Sequence, residues 1–540
     1  MFEDAPWRRR RPLVARSALR SVLTALTLGC AAMTCGGPPP TAPKPEGDPD
    51  TNAGDAEVAE LGTGTGTGDE DEVLPAFNPE ALAARVDAQR LLLGEDSLFE
   101  DIDGHPVAPK LEVDPSGAEV GSVEDDLLLA LPGSAGFGVG GQAGAGADDP
   151  AANGNALGLY VPIEDPGTGP ALAHFHQALR DLRSGALGPE GKVRVLVYGA
   201  SHTQADVYPG YLRVYLQARF GHGGPGFLSL VKVNRWFRYA DWEIEETKGW
   251  KSEHAQRGSA RKDGFYGLLG ASGSSDSKRD RTKLLPRNGE TVASRFSLFY
   301  LSQPKGGSFT LYVDGNKQSK VETDFGNYGT GYLDFTLDEG SHSLELRPVG
   351  DGEVRLFGVV MERDQPGVVV DTLGIAGTRA SNMLNWDEGI WSNNLRRRDP
   401  DLIILAYGTN EATDEDQPMS DYRAKLREVL TRIKRASPDA SCLLVGPGDF
   451  PRELEEDVWI PRPRVLEIID AQRDIAYEMG CGFWDAMAFM GGVNSMHTWA
   501  TSRPQMASRD HIHLTKRGYV RMGMALTDAL MARFDREPVD

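Results

Sequence analysis

Five residues, three of them at the ends of apolar runs, carry chemistry that fits together. Ser201 follows the run of residues 193–198 and a Gly-Ala pair, the pattern of a buried parallel strand that delivers a hydroxyl to its C-terminal rim. Open α/β sheets bind ligands in the crevice outside the carboxyl ends of their strands, so Ser201 would stand where such folds do chemistry. Gly-x-Ser is also plain turn and N-cap chemistry, and the hydroxyl therefore needs partners from elsewhere in the chain. Asp510 and His513 lie three apart just ahead of a C-terminal helical pattern, close enough for one loop to present both. A carboxylate so placed fixes the tautomer of an imidazole, and the imidazole can take the proton of a serine nucleophile. Asn410 closes the run of residues 401–407 through Gly-Thr-Asn, and Gly377 closes a glycine-rich run that begins at residue 367. Asn410 thus brings a side-chain amide, and the glycine-rich end at Gly377 open backbone, to the same kind of rim as the serine. His511 and His513 could instead ligate a metal, but no further His/Asp cluster completes a site, so no metal is expected. No phosphate-loop lysine follows the glycines of residues 221–227, read here as a loop, and no cofactor is expected.

The elements that must position these groups alternate in an α/β texture. Residues 171–184 place Leu172, Phe175, Leu179 and Leu182 on one helical face and stop at Gly185; His174 and His176, two apart, read as surface histidines. After Ser201 comes an amphipathic helix over 211–220. Strands follow at 367–373, 401–407, 441–446 and 481–485, with helices over 419–436, 465–478 and 520–534. Cys442 and Cys481 fall at strand starts, where a buried free thiol is the plain reading and a disulfide the alternative. Between the first strand and the rest, residues 236–363 change character. Runs such as 293–300, 308–313 and 332–337 alternate apolar and polar residues and are separated by Asp-Gly and Glu-Gly turns, which indicates an inserted antiparallel sandwich. Its Trp242, Trp250, Tyr266 and Tyr328 could offer faces to sugars, although aromatics in sandwiches more often build the core.

Composition bounds the rest. The net charge is −22, yet residues 41–160 hold 25 Asp+Glu against 4 Lys+Arg, a balance of −21, so the remainder is nearly neutral. Without a basic stripe, nucleic acid is not an expected partner. Four cysteines are too few for a disulfide-built scaffold. Residues 1–35 have the arginine cluster and short apolar stretch of an export signal, too short to span a membrane as a helix. Residues 36–157, rich in Pro, Gly, Thr, Asp and Glu, cannot bury enough apolar surface to offset their ordering entropy and read as a disordered, self-repelling tether. Within them, residues 79–93 have the spacing of a short amphipathic helix.

With Gly199-Ala-Ser-His202, Gly377, Gly408-Thr-Asn410 and Asp510-His-Ile-His513 in this order at strand ends, the chain resembles the SGNH (GDSL-type) esterase and acylhydrolase superfamily. The resemblance implies a flavodoxin-like three-layer fold with a parallel sheet, formed by residues 158–235 and 364–540. It makes Ser201 the nucleophile, Asp510 and His513 its triad partners, and Ser201, Gly377 and Asn410 the oxyanion donors. The chain looks closer still to bacterial peptidoglycan O-acetylesterases, which share Ser-His in the first motif, a carbohydrate-binding-like β-module after it, and a late Met-Gly-Gly stretch, here Met490 to Gly492. Two positions depart from the pattern: Ala200 stands where an aspartate is usual, and Glu411 follows Asn410 where many relatives have aspartate. Thr27 to Cys30 resembles the end of a lipoprotein signal, which would make Cys30 a lipidation site and a membrane tether; an uncleaved anchor is the alternative. The expected function is an exported, periplasmic or cell-surface esterase removing O-acetyl or other short acyl groups from a cell-wall or extracellular polysaccharide. A glycan-binding protein with a decayed site and an O-acetyltransferase are the competing readings.

Overall fold

The computed structural model describes Ala84 and residues 161–536, except 167, 257–259, 288, 290, 456 and 504. The export signal, the acidic tether, Cys30 and the 79–93 helix lie outside the described residues, apart from Ala84, which is helical and buried. Among the described residues no helix is long and apolar enough to cross a membrane.

Five parallel strands form the central sheet: β1 (Lys192–Gly199), β2 (Gly367–Gly374), β3 (Leu402–Ala406), β4 (Ser441–Val445) and β5 (Gly482–Trp484). Their spatial order is β2-β1-β3-β4-β5, the flavodoxin-like doubly wound arrangement. Along β1 the side chains alternate between two cores. Val193, Val195 and Val197 join one with α1 (Ala173–Ser184), α3 (Tyr208–Phe220) and the C-terminal α9 (Lys516–Arg536). Leu196 and Tyr198 join the other with α4 (Glu388–Arg398), α5 (Met419–Ala436) and α6 (Pro463–Glu478). A strand buried on both faces is the reason these segments read as continuous apolar runs. The remaining labels go to the four-residue α2 (Ser201–Gln204) and to α7 (Ala486–Met490) and α8 (Ser495–Thr501).

The inserted segment folds into two antiparallel sheets. One orders Gly329–Gly340, Ala293–Ser302, Val354–Glu362, Ala271–Ser275 and Lys251–His254; the other orders Trp242–Glu246, Thr282–Pro286, Leu344–Pro348, Ser308–Val313 and Asn316–Glu322. Alternating residues such as Phe309 and Leu311 are fully buried between them, as the period-two pattern requires. Three readings need correction. Gly226–Leu228, inside the stretch read as a loop, is a short strand that pairs with Val354–Glu362, because Gly226 takes a left-handed φ of 89° and Asp371 accepts the Phe227 N–H at 2.8 Å. His176 is buried, not on the surface, and its Nε2 lies 2.9 Å from the Leu530 carbonyl of α9. Cys442 and Cys481 form a disulfide that joins β4 to the start of β5.

A buried charge cluster ties the sandwich to the parallel sheet. Arg398, at the end of α4 and 3% exposed, donates from Nε to Asp371 of β2 at 2.5 Å and from a terminal nitrogen to Glu362, the last residue of the strand that leads into β2. Arg194 of β1 donates to the same Glu362 at 3.0 Å. Burial alone would raise the Glu362 carboxyl, but the two guanidinium groups hold it down at about 2. Truncating the shared arginine leaves two buried carboxylates short of a partner. Arg398→Ala is expected to destabilise the protein by about 3–5 kcal/mol, read as a lower urea midpoint at unchanged m-value.

Candidate active site

The strand register converges the candidate residues. Gly199 of β1 pairs with Gly374 of β2 on one side and with Ala406 of β3 on the other, so three strands end at one rim. Ser201 follows two residues after the first, Gly377 three after the second and Asn410 four after the third. Two of these strand ends must be glycine. A Cβ on Gly199 would meet Thr203 Oγ1 at 2.0 Å, and one on Gly374 would meet the Gln204 backbone nitrogen at 2.3 Å. Only bare backbone lets α2 sit down on the end of the sheet and hold Ser201 over it.

From the far end of the sequence, the loop ahead of α9 brings the other two partners. His513 Nε2 lies 2.9 Å from Ser201 Oγ, and His513 Nδ1 lies 2.8 Å from Asp510 Oδ2. The second Asp510 oxygen accepts the backbone N–H groups of Ile512 and His513, each at 3.0 Å, which fixes the carboxylate against its own loop. Burial alone would raise the Asp510 carboxyl; the bonds from His513 and from the Ile512 amide outweigh it and hold the group below its ordinary value. Ser201 and His513 are half-buried and Asp510 is exposed, so the cluster opens to solvent on one side. Beside it, burial first and the neighbouring His513 ring second push His202 down to about 4. Its Nδ1 meets the Tyr519 hydroxyl at 3.0 Å, and a neutral His202 puts no second positive charge beside an imidazolium formed at His513.

Gly377 and Asn410 face the same rim from their two turns. Gly377 has φ of 81°, a left-handed value that glycine takes without strain, and the Thr378 N–H closes the turn onto the Ile375 carbonyl at 3.2 Å. Asn410 donates one amide hydrogen to the Thr378 carbonyl at 2.8 Å, which braces the two turns together and leaves its second amide hydrogen to serve a ligand. Glu411, where many relatives have aspartate, is buried and accepts the backbone N–H groups of Ala380 at 2.9 Å and Gly408 at 3.1 Å. The longer side chain thus reaches across from one turn to the other. Burial raises its carboxyl above the ordinary value.

Several neighbours were not legible as site residues. Gln204, one turn after Ser201, accepts the Ala376 N–H at 2.9 Å and an amide hydrogen of Asn234 at 2.8 Å. Its i+3 spacing from the serine is the one signal the sequence offered. His511, weighed as a metal ligand, has φ of 51°; its Nε2 lies 3.1 Å from His497 Nδ1 and its ring stacks on Trp459 at 3.6 Å. Among the described residues no group of three His, Cys, Asp or Glu side chains could hold a metal ion. Of the aromatics considered as sugar faces, Trp242, Trp250 and Tyr266 are buried and Tyr328 is exposed.

Residues 347–521 match the GDSL-like lipase/acylhydrolase family, a segment that contains Gly377, Asn410, Asp510 and His513 but not Ser201. A solved structure described as a peptidoglycan O-acetylesterase in action is similar at 25% identity over 69% of this chain and 99% of that one, with a TM-score of 0.58. Family two carbohydrate esterases from Clostridium thermocellum and Cellvibrio japonicus also align, at 13% and 11% identity over 48% and 54% of this chain and 94% and 98% of theirs, with TM-scores of 0.22 and 0.23. No curated protein sequence matches the chain. The family match and the likeness to the peptidoglycan O-acetylesterase fold together support the resemblance of the α/β domain to the SGNH (GDSL-like) hydrolase superfamily.

One carboxyl near the site provides a pH signature. Asp449, 3% exposed, accepts the Met496 N–H at 2.9 Å, and burial pushes it up to about 7 despite that bond. An unfolded aspartate titrates near pH 4, so between about pH 4 and about pH 7 the folded state holds a proton that the unfolded state has lost, and stability falls as pH rises. Asp449→Asn has no such proton to hold or lose and keeps the acceptor. The melting temperature of the variant minus that of the parent is expected to grow across that window and level off above it; a flat difference would mean that Asp449 is ionised throughout.

Proposed function

We propose that the chain is a serine esterase that removes O-acetyl or other short acyl groups from a cell-wall or extracellular polysaccharide. The observation that carries this reading is the relay from Ser201 Oγ through His513 to Asp510, at 2.9 and 2.8 Å, above the carboxyl ends of three aligned strands. In the proposed reaction His513 Nε2 takes the Ser201 proton as Oγ adds to the ester carbonyl carbon. Asp510 holds the Nδ1–H tautomer and stabilises the imidazolium. The tetrahedral oxyanion draws on the amides of Ser201 and Gly377 and on the Asn410 side chain. As it collapses, the sugar oxygen leaves with the proton from His513. Water, deprotonated by the same imidazole, then releases the acyl group from Ser201 and restores the enzyme.

A small cavity supports a short acyl chain. It measures about 40 Å³ and is lined by His202, Thr409 and Ile512, each one residue from a candidate catalytic group, with Tyr407, Pro447 and Met490 behind. An apolar cavity of about 150 Å³ holds benzene, so one this much smaller suits a methyl group. The Cys442–Cys481 disulfide supports the exported location that the N-terminal sequence suggests, with Cys30 as the proposed membrane attachment. The peptidoglycan O-acetylesterase likeness favours a cell-wall glycan as substrate.

Two sets of measurements test the reading. With 4-nitrophenyl esters, kcat/KM is expected to fall about tenfold or more from acetyl to butyryl, and Ser201→Ala is expected to abolish both turnover and covalent labelling by a fluorophosphonate. Asn410→Ala should lower kcat by about 10²–10³ with KM changed only a few fold, because its donor meets full charge only in the transition state. An unchanged kcat would remove Asn410 from the oxyanion site.

A further inference from the structure

Two segments of the insert reach the turn that carries Gly377. The first is the stretch between Gly226–Leu228 and Trp242–Glu246. Asn234 there donates to Gln204 at 2.8 Å, and the same Gln204 oxygen accepts the Ala376 N–H. Asn234 Oδ1 accepts the Trp236 N–H at 2.9 Å, which closes a tight local turn. Phe237 and Tyr239 are buried against each other edge to face and anchor the segment, while Trp236 between Asn234 and Phe237 stands out at 67% exposure. Every other described tryptophan is buried or half-buried. The Arg235 guanidinium lies 4.5 Å from the centre of the Trp236 ring, a contact that steadies the indole.

The second segment follows the strand Lys251–His254. The side-chain amide of Gln256 stands over Gly377: a Cβ built on that glycine would lie 3.5 Å from Gln256 Nε2 and 3.6 Å from Oε1. Gln256 Oε1 is buried and accepts no hydrogen bond from any described residue. An acceptor shielded from water without a donor is unfavourable, so its surroundings are complementary to an O–H or N–H that arrives with a ligand. A single exposed aromatic needs no explanation by itself. Here the segment that carries the exposed indole is linked through Asn234 and Gln204 to Ala376, and the unpartnered acceptor stands beside Gly377, in the same turn next to the candidate nucleophile.

We propose that Trp236 and Gln256 form a pyranose-binding subsite beside Gly377, in which a sugar ring stacks its C–H face on the indole and donates a hydroxyl or amide N–H to Gln256 Oε1. The subsite rests on the reading of the chain as a glycan esterase and names the part of the insert that would hold the glycan. It gives a role to the two segments of the insert that reach Gln204 and the Gly377 turn. Gly377 is held to glycine by its left-handed φ, and the Gln256 amide packs beside it at ordinary contact distance.

The test compares two substrates in the full-length enzyme, 4-nitrophenyl acetate and O-acetylated peptidoglycan. For Trp236→Ala, KM on peptidoglycan is expected to rise about tenfold with kcat within about twofold, and Trp236→Tyr should recover most of the loss, because stacking needs a flat ring rather than an indole. Gln256→Leu, which keeps the volume and removes the acceptor, should raise KM on peptidoglycan about fivefold or more. Neither variant should change kcat/KM on 4-nitrophenyl acetate, which has no sugar to grip. Equal losses on both substrates would show a structural role and overturn the subsite, as would an unchanged KM on peptidoglycan. A parent enzyme that turns over 4-nitrophenyl acetate but not the glycan would sink the subsite and leave the esterase reading standing; a parent inert to both would sink the esterase reading and the subsite with it.

Discussion

The constraint on which the site depends is the close approach of α2 to the end of the sheet. The Thr203 side chain lies against Gly199 and the α2 backbone against Gly374, and neither glycine has room for a methyl group. Because β1, β2 and β3 are in register at Gly199, Gly374 and Ala406, whatever follows each strand within a few residues is delivered to the same small region. Ser201, Gly377 and Asn410 are such followers. Their convergence therefore needs no long loop and little ordering entropy beyond that of the sheet itself. Only the Asp510 and His513 loop must be brought in separately. The helix α9 that follows it does this by burying a long apolar stripe against α3, the helix that succeeds the serine.

The sandwich is less an appendage than a second wall of the same structure. Its last strand runs to Glu362 and the chain enters β2 at Gly367, so the two folds share a continuous stretch of backbone. The buried Arg398, Asp371 and Glu362 cluster sits at this junction, and the Tyr198 hydroxyl of β1 donates to the Leu268 carbonyl of the insert at 3.0 Å. Hydrophobic packing is continuous as well, since residues of the sandwich and of one face of the parallel sheet belong to a single core. Breaking a buried ion pair on one side costs far more than the pair contributes over an apolar substitute, so this junction resists hinge motion even if its net stabilisation is small. A rigid junction suits a binding wall that must hold position relative to the serine.

Much of this was legible in the residues. Strands buried on both faces announce themselves as unbroken apolar runs, and the helix over Met419–Ala436 follows from its spacing to the residue. The order of the motifs along the chain gave the rim and the candidate residues on it. What stayed hidden has physical reasons. Gly226–Leu228 is too short and too glycine-rich to show a period, and it becomes a strand because Val354–Glu362 offers it a partner distant in sequence. His176 was read as surface because a lone imidazole on a helix carries no sign of the Leu530 carbonyl that satisfies it. The pairing of Cys442 with Cys481 depends on β4 and β5 being neighbours, which spacing alone does not determine. Trp236 and Gln256 were invisible for the same reason: a role beside Gly377 is a property of the folded junction and not of their own stretches of chain.

The substitution of Ala200 for the usual aspartate bears on whether the site could have decayed. The residue before the serine caps α2 without any side-chain bond, so the support that an acceptor would give there is missing. Other bonds hold the turn. Thr203 Oγ1 and the Tyr208 hydroxyl are 2.6 Å apart, Gln204 binds both Ala376 and Asn234, and Asp206, with φ of 54°, takes hydrogen bonds from Arg213 and Thr372 and from the Ala240 amide. Four of these partners, Thr372, Ala376, Asn234 and Ala240, come from β2, its following turn or the insert. Rigidity that relatives place in one side chain beside the serine is here spread over contacts with the rest of the domain. Glu411 adds a second acceptor that spans the Gly408 and Ala380 turns. The distribution of support around the serine turn is thus an argument for preorganised chemistry, with the insert recruited as part of the brace.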